Sequence, residues 1–117
     1  MNCRALVCEA SHRVSMQEVV ISEPGDDEVL IRNRFSGVSI GTELSLIRGK
    51  VTWGPYPICT GYQAVGVVEK AGSAVKNLSV GDKVYHRGWQ GSGEMQWGNV
   101  KVSCTSGAHC EYTIAKA

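Results

Sequence analysis

Short β-branched and apolar runs, each cut off by glycine or a turn cluster, recur along the whole chain. Runs of this length and punctuation predict strands. The candidates are CRALVCEA (3–10), QEVVIS (17–22), EVLIRNRFSGV (28–38), AVGVVEKAG (64–72), DKVYHR (82–87), NVKVSC (99–104) and CEYTIA (110–115). Within the fourth run, Val65, Val67 and Val68 read as a strand buried on both faces, and Gly61 and Gly66 as points of close backbone approach. Val75, Leu78 and Val80 are placed to close the floor of a barrel, and Asp82 after Gly81 is a turn residue. EPGDD (23–27) is a turn, with Pro24 presetting φ and Gly25 free to take positive φ. The pattern as a whole is that of a mainly β domain, a barrel or sandwich.

One stretch breaks the β rhythm. In GVSIGTELSLIRG (37–49) Thr42 can cap a helix, Leu44, Leu46 and Ile47 supply an apolar stripe, and Gly49 follows the last turn. Such a helix has about two turns, too few to persist without tertiary packing. KVTWGPYPICTGYQ (50–63) and GWQGSGEMQWGN (88–99) read as loops, the first for its prolines and glycines, the second for its four glycines.

Size and composition narrow the classes. A chain of 117 residues fits one domain with a core of its own. A net charge of +1, with basic residues scattered, gives no footprint for nucleic acid or an anionic membrane. No run approaches the roughly 20 apolar residues of a membrane span, and the N-terminus reads as a strand and not a secretory signal. Five scattered cysteines without a Cys-x-x-Cys pair argue against a disulfide framework or a zinc ribbon. They read as small apolar residues or reduced thiols, and the expected location is a reducing cytoplasm.

Three blocks then resemble a known superfamily. EPGDDEVLIRNRFSGVSIGTEL, CTGYQAVGVVEKAGSAVKNLSVGDKV and GAHCEYTIAKA occur in the order found in the medium-chain dehydrogenase/reductases, the zinc alcohol dehydrogenase and quinone reductase relatives. The resemblance implies a GroES-like domain over residues 1–117: a partly open β-barrel with one or two short helices. It also implies chemistry on a small-molecule carbonyl or alcohol, with NAD(P) bound by a Rossmann domain that follows in full-length relatives.

The departures from that pattern matter as much. In the zinc-dependent branch the first block carries a cysteine ligand and the second carries Gly-His-Glu, whose histidine is another. Here Ser39 or Ile40, depending on the anchor, stands at the cysteine position, and Gly61-Tyr62-Gln63 replaces Gly-His-Glu. Hydroxyls are poor zinc ligands beside thiolate and imidazole. The four-cysteine structural loop of the family is missing too. The resemblance therefore points to the zinc-free branch and to no metal in this chain.

In that branch hydride transfer relies on hydrogen bonds to the substrate oxygen. Ser39, Thr42 and Tyr62 are the hydroxyls to place there. Glu43 matches an acid that orients its neighbours, and Trp53 and Gln63 fall where relatives line the substrate cleft. Each residue has a structural reading beside this one: Thr42 as a helix cap, Glu43 as a favourable charge at a helix start, Tyr62 as packing. Trp89 and Trp97 suit either a cover for the barrel or a contact with a neighbouring domain, and His109 reads as surface or satisfied core.

No Gly-x-Gly-x-x-Gly turn between a strand and a helix is present; GWQGSG has no helical run after it. The expectation is a domain that binds no nucleotide and turns over no substrate alone, the Rossmann half being absent. The alternative is a stand-alone GroES-like module for binding or homo-oligomerisation, which would cover the face a cofactor domain normally occupies.

Overall fold

A computed structural model of the chain describes residues 1–51 and 54–117. Nine strands and one helix follow in the order β1 (Asn2–Ala10), β2 (Arg13–Ile21), β3 (Glu28–Ser36), α1 (Ile40–Ile47), β4 (Ile58–Cys59), β5 (Ala64–Ala71), β6 (Lys83–His86), β7 (Met95–Trp97), β8 (Val100–Val102) and β9 (Tyr112–Lys116). They form two sheets, β4-β1-β2-β7-β8 and β6-β5-β3-β9, with antiparallel neighbours throughout. Single bridges, Ala5 with Cys110 and Ile58 with Ser103, tie the first sheet to the segment that leads into β9. The result is the mainly β, partly open barrel expected from the sequence. No helix among the described residues is long and apolar enough to cross a membrane.

The larger core lies between the sheets. Ala5, Val7, Val19, Ile21 and Met95 of the first sheet meet Leu30 and Ile114 of the second, with Trp89 and three cysteines, Cys3, Cys59 and Cys110, filling the gaps. A second, smaller cluster sits on the other face of the second sheet, where Val29, Ile31, Val68 and Ala115 pack under Val75, Leu78 and Val84. β3 is therefore the strand buried on both faces, Leu30 facing one core and its neighbours the other. That differs from the sequence reading, which gave this role to β5. In β5 Val65 is exposed and only Ala64, Gly66 and Val68 are buried, the alternation of a strand with one wet face. Val80 is likewise exposed and does not help close the floor.

The second correction concerns residues 88–99. Met95–Trp97 is a strand, β7, which pairs with β2 and β8 and buries Met95 completely. Its glycine-rich flanks disguise it, since three residues are too few to show a period of two. Glu28 fastens this segment to the barrel. Its carboxylate accepts from the Gly25 amide (2.7 Å), the Ser92 amide (2.6 Å) and the Ser92 hydroxyl. Burial alone would raise the Glu28 pKa, but these donors outweigh it and hold the carboxyl below its ordinary value.

α1 starts three residues earlier than its sequence suggests. Ser39, and not Thr42, is the N-cap, and its side chain makes no capping bond. The cap is made in reverse: Glu43 Oε2 accepts the Ser39 backbone N–H at 2.6 Å. At the other end the Gly49 N–H reaches Leu46 O and the Lys50 N–H reaches Ser45 O, a Schellman pair with Gly49 at φ 75°. Only Leu46 of the apolar stripe is fully buried, so tertiary anchors matter. The His12 N–H donates to Ile47 O and the Tyr56 hydroxyl to Leu46 O.

Candidate functional site

The loop between β4 and β5 passes beside the start of α1, and its geometry is set by Gly61. With φ at 87° this position suits glycine, and a Cβ there would stand 2.6 Å from the His109 ring. His109 thus lies against the backbone directly before Tyr62. Its Nε2–H donates to Glu43 Oε1 at 2.6 Å, and its Nδ1 is 2.6 Å from Ser36 Oγ. The two side chains of the His109–Glu43 pair are 8% and 6% exposed. Glu43 therefore binds two things at once, the helix N-terminus through Ser39 and the 107–110 segment through His109.

In front of this pair lies a groove of about 380 Å³ lined by Thr42, Tyr62, Arg87, Thr105 and Ser106. Four of the five side chains carry hydroxyls and the fifth is a cation. The Arg87 guanidinium carbon stands 5.4 Å from the centre of the Tyr62 ring. Ser106 is 7% exposed, and its hydroxyl has no hydrogen-bond partner among the described residues.

The predicted site residues are thus partly gathered. Thr42 and Tyr62 share the groove, while Ser39 stands behind it at the helix cap, contributing its amide to Glu43. Glu43 is buried and accepts from the Ser39 N–H and from His109. Gln63 turns away: its side chain lies over Gly37, where a Cβ would come within 2.8 Å of Nε2, and its carbonyl accepts the Gly37 N–H. Trp53 lies outside the described residues. Trp89 is in the main core and Trp97 packs against it, so both cover their own barrel.

Four residues of the site were not foreseen as such: His109, Arg87, Thr105 and Ser106. Arg87 and Ser106 come together only because the 104–109 segment folds back on β6, a long-range contact with no local signature. His109 had one available signal, since a glutamate at a helix start that is to be buried requires a donor opposite it.

With the geometry in place the chain can be compared with known proteins. Residues 25–117 match the model of the alcohol dehydrogenase GroES-like domain. The chain belongs to that family, the N-terminal domain of the medium-chain dehydrogenase/reductases. It is 33% identical over 104 residues to an alcohol dehydrogenase of Schizosaccharomyces pombe, covering 86% of this chain and 25% of that protein. In fold it is similar to benzyl alcohol dehydrogenase of Acinetobacter calcoaceticus, with a TM-score of 0.79 at 18% identity over 99% of this chain and 39% of the other. It is also similar to a quinone oxidoreductase of Coxiella burnetii, with a TM-score of 0.75 at 18% identity, over 99% and 35%. The GroES-like chain thus spans about a quarter to two fifths of the length of these relatives.

Proposed function

We propose that the chain is the substrate-binding domain of a zinc-independent, NAD(P)-dependent oxidoreductase acting on a small-molecule carbonyl or alcohol. The observation that carries this reading is that Thr42 and Tyr62 line one groove, from the two blocks where zinc-dependent relatives are expected to carry ligands. Charge develops on a carbonyl oxygen as it is reduced, and prearranged O–H donors stabilise it. Glu43 and His109 are positioning residues here. Glu43 fixes the start of α1 under Thr42, and His109 supports the backbone that presents Tyr62.

The donor set does not fit a resident zinc. Hydroxyl oxygens are weak ligands for it, and among the described residues no three His, Cys, Asp or Glu side chains are grouped to hold a metal ion. Nor do these residues fit a dinucleotide. A helix N-terminus binds pyrophosphate through free amides, whereas that of α1 already carries the Glu43 carboxylate. The nucleotide therefore belongs to another part of the enzyme, and this domain supplies the substrate side of the reaction.

In the complete enzyme that carries this domain, Thr42→Val and Tyr62→Phe are each expected to lower kcat/KM by about 10²-fold, the usual effect of losing one oxyanion donor. Dialysis against a chelator should leave the rate unchanged. Wild-type rates in both variants would overturn the assignment of the hydroxyls. Activity that is lost on chelation and restored by zinc would overturn zinc independence.

A further inference from the structure

Arg87 is the best-positioned cation of the molecule that no role described so far employs. The residues on either side of it are fixed. The Gly88 N–H donates to His86 Nδ1 (3.0 Å), and His86 Nε2–H donates to Asn33 Oδ1 (2.7 Å). Gly88 has φ at 103°, and a Cβ there would lie 2.1 Å from the Ser106 carbonyl oxygen, so the two segments are in backbone contact. The Trp89 N–H donates to that same carbonyl (2.7 Å), and Trp89 Nε1–H to Gly107 O (2.9 Å). The backbone that carries Arg87 is fixed in this way, and the guanidinium of this exposed residue stands over the Tyr62 ring.

A ring face supplies no lone pair, and Arg87 makes no ion pair among the described residues. Arg87 lines a groove without a carboxylate, where every other lining side chain bears a hydroxyl. The hydroxyl of Ser106, a residue of the groove wall, is buried and has no hydrogen-bond partner among the described residues, and a polar group left so is costly unless something binds it. A planar carboxylate suits a guanidinium fork, which donates two parallel N–H bonds to its oxygens.

We propose that Arg87 and Ser106, with Thr105 beside them, form a subsite for the carboxylate of an acidic carbonyl substrate, such as a 2-oxo acid. The carbonyl end rests on the proposed role of Thr42 and Tyr62; the carboxylate end does not. The groove volume of about 380 Å³ lies at the small end for ligand sites, in keeping with a compact acid.

Binding to the isotope-labelled chain, followed by NMR titration without any nucleotide, tests the subsite separately from hydride transfer. The probes are benzoylformate, the neutral acetophenone and inorganic phosphate. Benzoylformate should bind saturably, at least tenfold more tightly than acetophenone, and shift the Gly88 and Ser106 amides and the Arg87 side-chain N–H. Arg87→Leu should weaken benzoylformate at least tenfold and leave acetophenone unchanged, with Ser106→Ala causing a smaller loss. Equal binding of the two ketones, or no binding of either, would sink the proposal on the wild-type chain alone, whether or not the variants fold. Tighter binding of phosphate than of benzoylformate would overturn the substrate assignment and give the subsite to a phosphate. Loss of the hydride-transfer reading would show instead as unaltered turnover in the Thr42 and Tyr62 variants.

Discussion

His86 and His109 are buried in the same barrel and each makes two hydrogen bonds through its ring, yet their partners differ in kind. His86 Nδ1 faces the Gly88 N–H, a group that can only donate, so the proton must sit on Nε2, where it is given to Asn33 Oδ1. A second proton would break the Gly88 bond. Burial pushes the His86 pKa down to about 4. His109 instead gives its Nε2 proton to a carboxylate, and its Nδ1 meets a hydroxyl that can either donate or accept. The same side chain is a fixed neutral strut at one point and an adaptable link at the other, and the partners opposite each ring differ accordingly.

The largest effect should come from cutting the adaptable link at its charge. Glu43→Ala leaves His109 Nε2 and the Ser39 amide without their acceptor in a buried site. Breaking such a pair from one side costs about 3 kcal/mol or more, read as a lower urea midpoint at unchanged slope. Glu43→Gln, which keeps an acceptor oxygen, should lose less. A loss for Glu43→Ala under about 1 kcal/mol, the level of an exposed pair, would make this link as dispensable as a surface contact.

The fixed strut should show itself in acid. Between pH 6.5 and about 4 the unfolded chain binds a proton that His86 in the fold does not. Stability therefore rises with pH across that window, is complete above it, and is lost as pH falls toward 4. The slope from this one residue is at most about 1.4 kcal/mol per pH unit. In a His86→Gln variant that part of the slope should vanish when urea midpoints are followed from pH 7 to 4. Parallel profiles for the variant and the wild type would remove the distinction between the two histidines.

How much of this could be read from the chain depends on how local each feature is. The strands with an alternating or continuous apolar pattern, such as 28–36 and 64–71, announce themselves, because burial on a sheet leaves a short-range period. β7 does not, since it is three residues long and takes its place in the sheet by pairing with β2 across a long separation as well as with β8. Thr42 and Tyr62 lie in recognisable blocks and line one groove. His109 and Arg87 are single polar residues whose partners, Glu43 and Tyr62, are distant in sequence. Thr42 shows the limit on local rules: it has the right side chain for a cap, but Glu43 reaching back to Ser39 moves the helix start ahead of it.

The smallest effect tests the remaining partner of His109. Ser36 lies at the exposed end of β3, so water can replace its hydroxyl at Nδ1. Ser36→Ala should therefore cost about 0.5–1 kcal/mol, the net worth of an ordinary hydrogen bond, far less than Glu43→Ala. Its informative consequence is spectroscopic. With the hydroxyl gone, Nδ1 of neutral His109 is left to solvent while Nε2 still donates to Glu43, so the ring nitrogen resonances should keep the same tautomer and only the Nδ1 shift should move. A change of tautomer in Ser36→Ala would mean that Ser36, and not Glu43, decides where the proton sits. The contrast with His86, whose tautomer is dictated by a backbone N–H, would then rest on the wrong partner.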